Sequence, residues 1–354
     1  MSRLRRFLAR LDGFTLRALL MALALAGGVT AALVVGLGLF NVSARKGHLG
    51  LTEWVLHTTF RNSVALRAGA VPPENLASPE MIALGTGHFE QACSMCHGRP
   101  GEAQNATIRA MDPVPPHISA LAADWAAPEL HWIIHQGAKM TGMPAWPAQR
   151  EDDVWPVVAF VQAAARMGSE EYDRLSAGDA RGSCAMCHGE GGVSRNPLVP
   201  RLDILSPHYI AASLRAYRDG QRDSGIMAEA ASGLGESAIA RISTRFPAPE
   251  ESAPSPIASK GAALATRGKG AVPSCAACHG PWPERLNAGF PALSGQHAAY
   301  LQSQLKLWRD GPRGGGELAQ LMHHAARDLS DAEIADLADY YAALPPARLD
   351  GSER

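Results

Sequence analysis

The most prominent pattern in the chain is a long apolar stretch near the N-terminus. Residues 18–40 carry no charged side chain over 23 positions. That length makes about 34 Å of α-helix at ~1.5 Å per residue, enough to cross a hydrocarbon core of about 30 Å. The stretch therefore predicts a transmembrane helix. The sequence Val-Ser-Ala at 42–44 also fits a signal-peptide cleavage site, so removal of the segment stays an alternative.

Later apolar positions recur at helical spacing between loops rich in Gly and Pro, which predicts an all-α chain. Pro207 follows Ser206 at the start of one such helix, Ser294 is placed to cap a second, and Ser330 with Glu333 forms a capping box before a third. The apolar faces of these three helices are Ile210, Leu214 and Tyr217; Tyr300, Leu301, Leu305 and Trp308; and Ile334, Leu337, Ala338 and Tyr341.

Charge is uneven at the N-terminus. In the first 17 residues one acid, Asp12, stands against five arginines, and only Arg45 and Lys46 follow the apolar stretch closely. By the positive-inside rule, the N-terminus is expected in the cytoplasm and the rest of the chain outside. The net charge of the whole chain is −1, which gives no reason to expect a nucleic-acid partner. The five arginines are Arg3, Arg5, Arg6, Arg10 and Arg17.

All six cysteines lie in three copies of one motif, Cys-x-x-Cys-His, at 93–97, 184–188 and 275–279. This motif is the signature of c-type haem attachment, in which two thiols bond the porphyrin and the adjacent histidine binds the iron. A dithiol redox pair does not require the histidine. Zinc would need two Cys-x-x-Cys pairs at closer spacing, whereas these copies start 91 residues apart. The motifs predict three covalently bound haem c groups, attached at Cys93, Cys96, Cys184, Cys187, Cys275 and Cys278, with His97, His188 and His279 on the iron.

A second axial ligand decides whether such an iron carries electrons or does haem chemistry, since a thioether closes the iron and raises its potential. One methionine falls about 40 residues after each motif histidine: Met143, Met227 and Met322. Two positions stay open. Met140 competes with Met143 in the first repeat, and His323 or His324 could replace Met322 in the third.

A histidine bound to iron usually donates its other ring N–H to an acceptor that orients the ring. Pro200 and Pro291 each lie 12 residues after a motif histidine, and a proline carbonyl is available because proline has no N–H of its own. The first repeat has Arg109 at that spacing, so its acceptor is expected from the proline-rich loop at 113–116.

With these motifs the chain resembles the class I c-type cytochromes. The second and third repeats look like the two halves of dihaem cytochromes of the c4 type. They share Cys-Ala-x-Cys-His-Gly, a Pro-x-Leu loop, a helix ending in Tyr/Trp-Arg-Asp-Gly and Met-(x7)-Ser/Gly-(x3)-Ile. The first repeat has Thr-Gly-Met-Pro at 141–144, as in cytochrome domains found beside oxidases and dehydrogenases. The resemblance implies haem c at every motif and Met143, Met227 and Met322 as distal ligands.

The expected organisation follows from the motifs and the softer sequence between them. It comprises a cytoplasmic N-terminus at 1–13, a transmembrane anchor at 14–42, a tether at 43–78 with helix around 54–64, and small cytochrome c domains at 79–168, 169–254 and 255–346. These three domains are called repeats one, two and three below.

The expected function is a single-electron relay by a non-enzymatic trihaem carrier on the periplasmic face of the inner membrane. A quinol-oxidising complex, a dehydrogenase or a terminal oxidase would be its redox partner. Two alternatives stay open: a haem enzyme such as a peroxidase or small nitrogen-oxide reductase, which needs an open iron, and a haem-bearing subunit of a dehydrogenase complex.

Overall fold

The computed structural model describes residues 13–176, 183–250, 259–281, 289–311, 313–316 and 318–348. Over these residues the chain is helical without β-strands, which confirms the all-α prediction. It divides into two compact units: residues up to 57 together with 110–112, and the remainder. Residues 1–12, most of the predicted cytoplasmic segment, lie outside the described residues, as do residues 251–258, which contain the predicted boundary between repeats two and three.

The first unit contains the apolar stretch as helix α1, Gly13–Gly36, and the start of α2, Gly50–Arg67. Helix α1 has 24 residues with a mean hydropathy of 2.4 and buries none of them. By length and composition it can span a membrane, and a signal sequence near the N-terminus would have the same character. Helix α2 confirms the expectation of helix within the tether.

The second unit holds all three haem motifs, and its helices follow the order of the repeats. Repeat one has α3 (Pro79–Ala92), α4 (Ser94–His97), α5 (Ile118–Asp124), α6 (Ala127–Gln136) and α7 (Trp155–Ala164). The residues of repeat two form α8 (Ser169–Leu175), α9 (Ala185–His188), α10 (Pro207–Arg218), α11 (Gly225–Ser232) and α12 (Glu236–Ser243). Those of repeat three form α13 (Lys260–Arg267), α14 (Ala276–His279), α15 (Ala298–Asp310), α16 (Ala319–Ala326) and α17 (Asp331–Ala343).

In repeats one and three, the helix before the haem motif crosses the closing helix at a glycine. A Cβ at Gly85 of α3 would overlap the carbonyl oxygen of Pro156 in α7. A Cβ at Gly261 of α13 would likewise overlap the carbonyl oxygen of Asp336 in α17. The missing side chain lets the two backbones approach closely at the crossing.

Three apolar cores accompany the repeats. The first is centred on Phe89 and Phe160, whose ring centroids are 4.7 Å apart. Tyr172 of α8 also packs in this core, and its hydroxyl donates to the buried Glu90 carboxylate at 2.6 Å. The core of repeat two contains Ile204, Leu205, Ile210, Leu214, Ile239 and Phe246. The core of repeat three includes Leu264, Leu301, Trp308, Ile334, Leu337 and Tyr341.

Two of the three predicted caps are confirmed, and one is wrong. Ser206 and Ser330 accept hydrogen bonds from the backbone at the starts of α10 and α17. Ser294 does not cap α15, which begins only after His297. The reason is tertiary: the side chain of Gln296 accepts from the N–H of Arg201 at 2.9 Å and donates to its carbonyl at 3.1 Å. This pairing holds the loop against repeat two and delays the helix.

Candidate haem sites

Each Cys-x-x-Cys-His motif forms a single helical turn that begins just after its first cysteine and ends on the histidine. All six cysteines are unpaired thiols. The glycine after each histidine has a φ of +71 to +79°, which other residues rarely adopt, so the chain turns away directly below the histidine ring. The turn thus presents two thiols and one imidazole on the same side of the backbone.

The orientation of all three motif histidines is fixed by a proline carbonyl. The Nδ1–H of His188 donates to Pro200 O at 2.9 Å, and that of His279 donates to Pro291 O at 2.8 Å, as the spacing predicts. In repeat one, His97 donates to Pro116 O at 2.8 Å, within the loop expected to supply the acceptor. With the proton on Nδ1, the Nε2 lone pair is left to bind a metal.

Burial favours the uncharged form of these groups. It lowers the pKa of His97, His188 and His279, although the proline carbonyls act in the opposite direction. Neutral imidazole is the form that binds iron. Burial also raises the pKa of Cys93 to about 12 and those of Cys187 and Cys275 to about 11. The site therefore offers neutral groups to an apolar partner.

A cavity of about 720 Å³ opens beside the third motif. Its lining includes Cys275, Cys278 and His279 of the motif as well as Met322, together with the apolar and aromatic side chains of Leu301, Trp308, Leu337 and Tyr341. An apolar wall with few polar groups is the usual lining of a cofactor site. His323 and His324 are not among the lining residues, and their Nδ1 atoms are hydrogen-bonded to Trp308 O and Gln320 O, each at 2.7 Å.

The other two candidate methionines, Met227 and Met143, differ in their surroundings. Met227, on α11, packs with Cys184 against the core of repeat two, so thiol and thioether share one apolar cluster. Met143 is half-buried, and its backbone N–H donates to Thr141 Oγ1 at 3.1 Å. Its competitor Met140 is 93% exposed and has a positive φ of 65°. Of the two methionines, Met143 is the less exposed.

Two buried arginines also line the cavity at the third motif, and neither has an ion pair with a carboxylate among the described residues. Arg222 donates to Ser213 Oγ at 3.1 Å and to the hydroxyls of Tyr209 and Tyr300 at 3.4 and 3.3 Å. Arg313 donates to Gln304 Oε1 at 2.6 Å. Although burial raises the pKa of Tyr209, the two guanidinium groups bring it down to about 8.

Arg222 and Arg313, called the cationic rim below, place two buried positive charges in the lining of an apolar cavity. They favour the binding of anionic groups there, because a buried charge without a counter-charge is costly. A haem carries two propionate groups, and Arg222, Arg313, Tyr209 and Tyr300 form a donor set that fits them. The residues present thus fit haem both in the apolar wall and in the charged rim. These arginines were not predicted from the sequence. The sequence does contain a signal for them, because both stand in Asp-Gly-x-Arg, two residues after the Arg-Asp-Gly shared by repeats two and three.

Repeat one packs directly on the haem motif and the methionine helix of repeat two. A Cβ at Gly87 would lie 2.9 Å from Cys187 Sγ, and a Cβ at Gly225 would overlap the indole Nε1 of Trp146. Asn196 Nδ2 donates to Glu80 O at 2.9 Å across the same junction. These residues carried no signal in the sequence, because their importance comes only from what lies opposite them.

Three helical turns, each with two thiols and a carbonyl-oriented histidine, define a c-type cytochrome, and the third lies beside an apolar cavity that two arginines also line. Residues 80–161 match the family model described as cytochrome c oxidase, cbb3-type, subunit III, and residues 258–344 match the model for cytochrome c.

Curated relatives agree with this class. A thiosulfate dehydrogenase electron acceptor from Thiomonas intermedia is 40% identical over 174 residues, which cover 46% of this chain and 79% of the relative. A cytochrome c4 from Pseudomonas aeruginosa is 32% identical over 176 residues, 48% of this chain and 88% of the relative. A solved cytochrome c4 from Acidithiobacillus ferrooxidans has 31% identity and a TM-score of 0.39, covering 46% of this chain and 98% of its own. The chain belongs to the cytochrome c family and is homologous to c4-type cytochromes and thiosulfate dehydrogenase electron acceptors.

Proposed function

We propose that this chain is a membrane-anchored trihaem cytochrome that relays single electrons between redox proteins on the periplasmic face of the inner membrane. One observation carries the proposal: in each of the three repeats the motif histidine donates a hydrogen bond to a proline carbonyl. This bond leaves Nε2 of each histidine available to bind iron. Bound haem c supplies the one-electron redox couple, while the protein supplies ligation, burial and orientation.

The proposed axial pairs are His97 with Met143, His188 with Met227, and His279 with Met322. A histidine and a thioether close both faces of the iron, which suits electron transfer rather than reaction with a small substrate. The haem-enzyme alternative is the less supported, because each repeat has a methionine in the expected window. The three cytochrome c domains are proposed at 79–168, 169–254 and 255–346.

The relatives favour one donor. Two of them are named as electron acceptors of thiosulfate dehydrogenase, with 40% and 35% identity to this chain. We infer that a dehydrogenase of this kind reduces the haems, in agreement with the alternative of a haem-bearing subunit. The match of residues 80–161 to a model for a terminal oxidase subunit supports a terminal oxidase as the acceptor. Helix α1 would hold the relay at the membrane and raise its concentration near both partners.

Two measurements test the proposal. Intact mass of protein made in a host that matures c-type cytochromes should show three added haem groups, and the bare polypeptide mass would contradict it. Anaerobic stopped-flow absorbance should then show haem reduction when thiosulfate and thiosulfate dehydrogenase are both present. Omitting the dehydrogenase is the control. Fully loaded protein that stays oxidised with both components present would refute the donor while leaving the haem count intact.

A further inference from the structure

One carboxylate of repeat one reaches the helix that carries the proposed iron ligand of repeat two. Asp153 lies in the turn before α7 and is 8% exposed. Its Oδ2 accepts from the hydroxyl of Ser224 at 3.0 Å and from the N–H of Ile226 at 3.2 Å. Ser224 Oγ in turn accepts from the N–H of Met227 at 3.4 Å. One hydroxyl therefore connects Asp153 to the backbone of Met227.

The first N–H groups of helix α11 have no partner within the helix, as at every helix start. The helix has no acidic side chain in its first turn, so these N–H groups depend on groups outside it. A carboxylate at a helix N-terminus both accepts these N–H groups and favours the helix dipole. Asp153 supplies both from another repeat. The corresponding helix of repeat three, α16, starts after Leu318 without a side-chain cap.

The neighbouring residues keep Asp153 in place and set its charge environment. Arg150 lies 3.8 Å from Asp153 Oδ1 and 2.6 Å from Asp152, and it also donates to the carbonyl of Asp223 at 3.3 Å. The N–H of Gln149 donates to Asp223 Oδ1 at 3.0 Å. Residues 146–153 of repeat one thus hold residues 223–226 of repeat two at several points, with the indole of Trp146 lying over Gly225.

We propose that Asp153 is a positioning residue for the second haem, and that repeat one, through Ser224, keeps Met227 where it can bind the iron of repeat two. The inference rests on the proposed function, because it requires Met227 to be an iron ligand. Repeat one would thereby have a second role: besides carrying its own haem, it would complete the iron ligation of repeat two.

The test compares variants of the full-length haem-loaded protein. Asp153→Ala should make one haem bind carbon monoxide when reduced, weaken the thioether–iron charge-transfer band and lower one of the midpoint potentials, leaving the other two haems unchanged. Asp152→Ala is the matched control: it removes the same charge one residue away, from a side chain that is 51% exposed and whose hydrogen bonds, among the described residues, go to Arg150 and not to α11. It should leave all three haems closed to carbon monoxide.

Asp153→Asn separates positioning from charge, because an amide oxygen can still accept from Ser224 and Ile226. We expect it to restore the closed haem. Asp153→Ala protein with three closed haems would overturn the inference, as would loss of all haem from both the Ala and the Asn variants, which would indicate a general folding role. Binding of carbon monoxide by the unmutated protein would contradict the proposed histidine–methionine ligand pairs themselves, and with them the proposed function. This outcome is therefore distinguishable from failure of the Asp153 inference alone.

Discussion

The carbonyl oxygen of Pro291 accepts a hydrogen bond from Nδ1 of His279 at 2.8 Å, twelve residues after that histidine in the chain. The same spacing joins Pro200 to His188. This contact decides which ring nitrogen faces the cavity, and with it the chemistry available at each motif.

Met322→Ala should open the iron of the third haem. If Met322 is the proposed iron ligand, its loss should leave a high-spin haem that binds carbon monoxide when reduced and has a lower midpoint potential. Optical spectra and a redox titration measure both. His323→Ala serves as the control, because His323 is bonded to Trp308 O and does not line the cavity. Opening of the haem in His323→Ala instead would show that the ligand is histidine.

Arg313→Gln should lower the midpoint potential of the third haem. A buried positive charge favours the reduced iron. The scale of the effect follows from Coulomb's law, since two unit charges separated by about 10 Å interact by about 1–2 kcal/mol at an effective dielectric constant of about 20. For one electron that is about 40–90 mV. The control is Arg309→Gln, since Arg309 pairs with Asp310 and Asp331 near the surface. Equal shifts of the midpoint potential in both variants would show that Arg313 acts no differently from an arginine outside the cavity.

Gly225→Ala should destabilise the junction between repeats one and two. The new methyl group would overlap the indole of Trp146, and overpacking of this kind costs about 1–3 kcal/mol. Urea unfolding of the haem-loaded protein measures the free energy. Gly233→Ala, at the other end of the same helix, is the control because nothing lies within 4 Å of its Cβ position. Equal stabilities of the two variants would mean that Trp146 moves aside without cost.

His88 should make the protein less stable in mild acid. Burial lowers its pKa from 6.5 to about 4. Between these values the unfolded chain binds a proton that the folded chain does not, so the free energy of unfolding falls as the pH drops from 6.5 to 4, by about 3 kcal/mol. His88→Phe keeps a ring against Trp146, 4.7 Å away, and removes the titration. Measured across this pH range, the free energy of unfolding should depend less steeply on pH in the variant. An unchanged pH dependence would contradict the attribution of this effect to His88.

The N-terminal helix should keep the protein in the membrane. If α1 is an anchor, the mature protein retains residues 13–36 and fractionates with inner membranes until detergent is added. Replacing residues 1–42 with a cleavable signal peptide should release a fully haem-loaded protein into the periplasm. Mass spectrometry of the parent gives its true N-terminus, and a mature chain that begins after Ala44 would establish a cleaved signal instead.

The sequence by itself determined the helical class, the three haem motifs and two of the three proline acceptors. These features depend on local spacing: thiols and imidazole on one helical turn, apolar residues at helical period, and a carbonyl a fixed distance along a short loop. For the same reason Ser206 and Ser330 could be recognised as caps, since their partners lie within three residues.

Only the tertiary structure decided what lies opposite each element. Ser294 lost its expected role because Gln296 pairs with Arg201 in another repeat. Arg222 and Arg313 became a cationic rim because two helices from different repeats meet at one cavity. Asp153 reached Ser224 across 71 positions of chain. Such contacts depend on how surfaces fit together in space, and neither hydrophobic period nor motif spacing encodes that fit in a form that can be read from one sequence.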